Sequence, residues 1–127
     1  MNNDQKFFIC ELCGNLTSLI IDKGTPMSCC GKKMTALTPN TVEASNEKHL
    51  PDVTVSGDKV SVQVGSVPHA MTEEHHICFV YLKTERGGQR KALKIGEEPK
   101  AEFCLVADKP VAAYEYCNLH GLWRTDI

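Results

Sequence analysis

The chain has 127 residues, with 14 Lys and Arg against 16 Asp and Glu, and a net charge of −2. That length suits one ordinary domain, or a small one joined to a mini-domain, and without a basic tract there is no case for a nucleic-acid surface. No apolar run approaches the roughly 18 residues of a membrane span, and the opening "MNNDQKFF" lacks the basic-then-apolar order of a secretory signal, so a cytoplasmic chain is expected.

Residues 1–36 read as one compact unit, too small to be held by a hydrophobic core alone. It contains Cys10-x-x-Cys13 and then the adjacent pair Cys29-Cys30. Clustered cysteines in a reducing compartment point to metal or catalysis rather than to disulfides, and the chain's total of seven cannot pair completely. Four thiolates suit one tetrahedral ion, zinc or iron. The adjacent pair is unusual, because neighbouring side chains on extended backbone diverge. Both reach one ion only through a local twist. The competing readings are a vicinal disulfide or idle thiols. A short apolar run, Leu19 to Ile21, lies between Gly14 and the Gly24/Pro26 punctuation, and Met27 and Met34 are expected to pack inside the unit. Asn15-Leu-Thr matches a glycosylation acceptor, which has no consequence in a cytosolic chain.

Residues 37–52 carry Pro39, Asn40, Ser45, Asn46 and Pro51 and read as a linker running into a loop. Within it Glu47, Lys48 and His49 stand side by side. From residue 53 onward the pattern is β. Val53, Val55, Val60, Val62 and Val64 alternate around a Ser-Gly-Asp turn and predict a hairpin. A second hairpin is predicted across Gly87-Gly88, with Ile77 to Leu82 apolar on both faces as in a central strand. "AEFCLVA" and "VAAYEYC" supply two more strands, and no segment holds a helical period. The expected fold is all-β, with a sandwich at residues 37–127 following the metal-binding mini-domain. Cys78 and Cys104 read as small buried hydrophobes, and Trp123 as a packing residue at the sandwich edge.

The five histidines, His49, His69, His75, His76 and His120, all fall after residue 48. His120 follows Cys117 in a Cys-x-x-His. Singly, each reads as surface or satisfied core; together with one thiolate they suit iron, copper or zinc. Met71 keeps open a copper site with a weak axial thioether.

"CELC…CC" resembles desulforedoxin, and "EKHLP", "HAMTEEHH" and "CNLHGLW" resemble the catalytic domain of the superoxide reductases. End to end, the chain resembles the desulfoferrodoxin family. That resemblance implies an immunoglobulin-like catalytic sandwich and two mononuclear irons. One iron is held by Cys10, Cys13, Cys29 and Cys30. The other has His49, His69, His75 and His120 in an equatorial plane and Cys117 as axial ligand. It implies that Glu47 and Lys48 flank the remaining position, with Lys48 favouring the anion's approach and Glu47 closing the oxidised site. It further implies one-electron reduction of superoxide to hydrogen peroxide, a rubredoxin-like electron donor and a homodimer. His76 stands where the family leads us to expect an aromatic residue. Neighbours on a strand point to opposite faces, so one of His75 and His76 reaches the metal, and the spacing from His69 selects His75. Backbone N–H groups of Leu119 and His120 are placed to moderate the Cys117 sulfur, and Gly121 lets the chain turn close by. The alternatives are a zinc-ribbon and sandwich interaction module, or an electron-transfer protein with both metals saturated.

Overall fold

A computed structural model describes residues 5–127, and the chain divides into two units, one ending at Thr38 and the other running from Pro39 to Ile127. In the first unit β1 (Phe7–Ile9), β2 (Leu16–Ser18), β3 (Ser28–Cys29), β4 (Lys32–Lys33) and β5 (Thr35–Leu37) are all short. An antiparallel sheet runs in the order β2-β1-β5, and β3 with β4 forms a separate hairpin. Phe7, Cys10 and Met34 are its buried apolar residues among those described, while Met27 is half-buried. Ile20 and Ile21, from the apolar run, lie exposed.

The second unit begins with a feature the sequence pattern does not announce. Residues 46–49, expected as loop, form a single helical turn, α1 (Asn46–His49). Lys48 N–H donates to the Ser45 carbonyl at 3.2 Å and Leu50 N–H to Asn46 at 3.0 Å. Pro51 ends it, since the residue before a proline is driven to extended backbone, and Leu50 is extended. Seven strands follow among the described residues: β6 (Pro51–Ser56), β7 (Lys59–Val64), β8 (Ile77–Thr84), β9 (Gly87–Ala92), β10 (Lys100–Cys104), β11 (Pro110–Cys117) and β12 (Gly121–Asp126). They form two antiparallel sheets, β10-β7-β6 and β12-β11-β8-β9. Three strands over four is the strand count of a constant-type immunoglobulin sandwich. The alternating valines explain the packing: Val60, Val62 and Val64 turn inward and meet Ile77, Val80, Leu82, Phe103 and Ala113 from the other strands.

Two local expectations are corrected. The second hairpin turns at Glu85-Arg86, not at Gly87-Gly88, which already belong to β9. Asp108 accepts the Arg86 N–H at 3.1 Å and holds that turn, while the Tyr81 phenol fills the space a side chain at Gly88 needs. Cys104 is exposed rather than buried, because β10 alternates and sends it outward with Lys100 and Glu102; Cys78 is only half-buried. Trp123, on the edge strand β12, is fully buried.

Candidate metal centres

In the first unit the Sγ atoms of Cys10, Cys13, Cys29 and Cys30 lie within 4.8 Å of one another. Cys13 and Cys29 sulfurs are 3.5 Å apart, and those of Cys29 and Cys30 3.9 Å. The local twist demanded by the adjacent pair is found at the β3–β4 turn. Cys30 and Gly31 have φ of 53° and 74°, the two positive values of a type I′ hairpin. Placed in the turn rather than on the strand, Cys30 escapes the alternation that would send it away from Cys29. Backbone N–H groups of Cys13 and Leu12 bring the Cys10 thiol down to about 6. Cys30, held protonated by its hydrogen bonds to Cys13, Cys10 and Cys29, is pushed up to about 12. Four adjacent thiols resist ionising together, and a cation at their centre removes that conflict, so the donor set fits a metal ion.

The second group gathers at one end of the sandwich, in segments whose backbones the strands fix. His49 closes α1, His69 lies in the connection after β7, His75 precedes β8, Cys117 ends β11, and His120 sits in the β11–β12 turn. One donor atom from each falls within 4.8 Å of the others. Successive rings His49–His69, His69–His75, His75–His120 and His120–His49 have centroids 4.6, 4.4, 5.0 and 4.8 Å apart and stand at 76° to 87°. His49 and His75, 6.3 Å apart at 30°, face each other across the set. This is a square of four imidazoles. The Cys117 sulfur lies 3.6 Å from His69 Nε2 and 3.9 Å from His120 Nδ1.

The hydrogen bonds decide which nitrogens are free. His49 Nδ1–H donates to the Ser45 carbonyl at 2.8 Å and His69 Nδ1–H to Ala70 at 2.7 Å. Both Nε2 atoms therefore carry lone pairs, yet they lie 3.1 Å apart, with His120 Nδ1 3.0 Å from His49 Nε2. Lone pair facing lone pair is repulsive without a cation between them. His75 Nε2 is buried with no hydrogen-bond partner. Burial lowers the pKa of His49 and His75 and brings His69 to about 4, so neutral imidazoles are favoured. Burial raises the Cys117 thiol, while N–H groups of Leu119 and His120 act on the sulfur in the opposite sense. Four imidazoles, one thiol and an orphaned nitrogen fit a transition metal such as iron. Met71 is not part of the convergence; its sulfur accepts the Ile77 N–H at 3.4 Å and packs on the core.

Glu47 and Lys48 project from the exposed side of α1, and the Lys48 charge reaches both His49 and His75. His76 is turned away from the group, its Nδ1–H shared between the Thr72 and Glu73 carbonyls at 2.9 and 3.2 Å. Several supporting features carried no readable sequence signal. The Ser45 and Ala70 anchors are backbone carbonyls, which any residue supplies. Trp123 stacks on His49 at 5.0 Å and donates Nε1–H to the His120 carbonyl at 3.1 Å. Glu115, two residues before Cys117, is fully buried with neither oxygen partnered, and burial raises it to about 9.

Comparison with known proteins gives consistent matches. The family model described as Desulfoferrodoxin matches residues 41–126. A desulfoferrodoxin of Syntrophotalea carbinolica is 42% identical over 92% of this chain and 92% of its own length. One from Nitratidesulfovibrio vulgaris is 39% identical over 99% of both. The crystal structure of the superoxide reductase from Treponema pallidum superposes with a TM-score of 0.81 at 40% identity, covering 97% of this chain and 99% of that one.

Proposed function

The chain belongs to the desulfoferrodoxin family, and on that premise we propose that it is a two-iron superoxide reductase. It takes superoxide, one electron and two protons to hydrogen peroxide, and releases no oxygen. The observation that carries this reading is the square of four imidazoles with a single sulfur beside it. In this reading His49, His69, His75, His120 and Cys117 would hold the catalytic iron, and five protein donors would leave room for a small anion. Iron bound there would supply the one-electron redox chemistry.

The chain's own groups do the rest. A net charge of −2 offers superoxide no attraction at long range, so steering is local and falls to Lys48 at the exposed lip of the site. Lys48 also orders a water that protonates the departing peroxide. Glu47, on the same turn, supplies the carboxylate that closes the site between turnovers. A strongly donating thiolate favours O–O cleavage in other iron enzymes. The Leu119 and His120 N–H groups draw density off the Cys117 sulfur and so favour release of intact peroxide. Cys10, Cys13, Cys29 and Cys30 would hold the other iron, and with four sulfurs around it that iron would serve to carry electrons or brace its unit.

The reaction partners are superoxide and an electron donor. We assign the donor's role to a small iron protein of the rubredoxin kind, and place the enzyme in the cytoplasm as a homodimer. Metal analysis with a visible spectrum of the purified full chain tests the reading. Two irons are expected per chain, with a thiolate-to-iron absorption from the four-sulfur site. A second band toward the red is expected to grow when superoxide oxidises the reduced protein. Zinc in both sites, with no such band, defeats the reading.

A further inference from the structure

Two of the four imidazoles have their own anchors. His49 and His69 are each held in orientation by a carbonyl on Nδ1. His120 sits in the tight β11–β12 turn, its carbonyl gripped by Trp123. His75 has none of this: its Nε2 is buried and unpartnered, and no carbonyl holds its other nitrogen among the described residues. It rides on a loop that is closed mainly upon itself. Thr72 N–H and Oγ1–H donate to the His75 carbonyl at 2.9 and 3.1 Å, and His75 N–H returns to Thr72 Oγ1 at 3.2 Å. The His76 ring staples the same loop through the Thr72 and Glu73 carbonyls.

One side chain ties that closed loop to the rest of the site. Asn118 lies between Cys117 and His120. Its Oδ1 accepts the His76 N–H at 2.9 Å, its Nδ2 donates to the Glu74 carbonyl at 3.0 Å, and its backbone N–H donates to the His76 carbonyl at 3.2 Å. Those bonds bracket His75 on both sides in sequence. They fix its backbone against the segment that carries two other donors. We propose that Asn118 is the positioning residue for His75, and that His76 contributes its backbone to this clamp rather than its ring to the metal. This rests on the reading of the five donors as an iron site. Groups that orient a metal ligand without touching the metal typically carry about 10–100-fold in affinity, and an amide presenting both acceptor and donor suits two backbone partners of opposite kind.

Asn40 provides the comparison. It makes a matching set on β12: N–H to the Leu122 carbonyl at 3.0 Å, Nδ2–H to the Arg124 carbonyl at 3.1 Å, and Oδ1 from the Arg124 N–H at 2.8 Å. No donor-bearing loop is tied by it. The experiment titrates the metal-free full chain with ferrous iron and records the oxidised spectrum for the unsubstituted protein, Asn118→Ala, Asn118→Asp and Asn40→Ala. In Asn118→Ala the iron affinity of the imidazole site is expected to fall about 10–100-fold, with its band displaced and the four-sulfur absorption unmoved. Asn118→Asp, which keeps the acceptor and loses the donor, is expected to fall between. Asn40→Ala is expected to lower the melting temperature and leave affinity and band alone. The proposal is overturned if both Asn118 variants bind within about twofold of the unsubstituted chain with an unmoved band, or if Asn40→Ala shifts the site equally. If the unsubstituted chain takes no iron at the imidazole site, the iron reading itself falls, and this inference with it.

Discussion

At the scale of single residues, the site separates side chains that bind from side chains that serve binding. Buried, neutral His49 and His69 have no competing role, because each spends one nitrogen on a carbonyl and aims the other at the centre. Lys48 differs in kind. It is exposed, forms no part of the convergent set, and exerts its charge across solvent-facing space on His49 and His75. Its removal is therefore expected to change the rate of encounter and leave the metal in place. Lys48→Ala should slow the second-order reaction with superoxide by about tenfold at low ionic strength, by less as salt rises, with iron content unchanged. Stopped-flow or pulse-generated superoxide measures this directly. An unchanged rate at low salt would remove Lys48 from the mechanism.

At the scale of elements, α1 has little of its own to hold it: one turn, with no side-chain cap at Ser45. The support comes from the segment after β7. Gly65 N–H donates to the Leu50 carbonyl at 3.1 Å, and Val67 N–H to the Glu47 carbonyl at 3.1 Å. Gly65 itself has φ of +84°, and a Cβ there would meet the Val67 carbonyl, the Glu47 carbonyl oxygen at 2.7 Å and the Lys48 carbonyl carbon at 2.8 Å. These are backbone atoms and cannot swing aside. Gly65→Ala is accordingly expected to cost about 1–3 kcal/mol of stability through strain and overpacking. It should also displace Glu47 and Lys48 together, so the reaction with superoxide slows along with the drop in melting temperature. Thermal unfolding and superoxide kinetics on the same variant check both halves; normal values in both would show that this contact yields.

At the scale of the whole molecule, the two units are stabilised by different means. The sandwich has a continuous core built from Val60, Val62, Val64, Ile77, Val80, Leu82 and Phe103. The first unit buries only Phe7, Cys10 and Met34 among its described apolar residues, and Cys10 is itself a donor to the metal group. Metal binding and folding are then the same event for that unit. Stripping metal from the four-sulfur site, or substituting Cys10→Ser, should unfold the first unit and leave the sandwich's strands intact. Residue-resolved amide exchange should show protection lost in β1, β2 and β5 and retained in β7, β8 and β11. Full protection throughout in the metal-free chain would show that the small core suffices.

The sequence by itself determined the cysteine donor set and the strand pattern, because Cys10-x-x-Cys13 with Cys29-Cys30 and the alternating valines are signals local in the chain. The histidine set, spread from residue 49 to 120, came through the resemblance of its flanking motifs to the superoxide reductases. The hairpin turn at Glu85-Arg86 escaped that reading because glycine marks conformational freedom without marking where a strand ends. Here the register against β8 and the Tyr81 ring decide it. Cys104 escaped it because burial depends on the face a strand presents, and an apolar run conceals its own phase. The helical turn at 46–49 was illegible because its partners lie in the segment after β7. Only the tertiary structure could decide which nitrogen of each histidine is free, turn the His76 ring onto its own loop, and place Asn118 between two donor-bearing segments. Those outcomes rest on backbone carbonyls and amides brought together from far apart in the chain. Such groups are the same at nearly every position, so only the fold distinguishes the ones that matter.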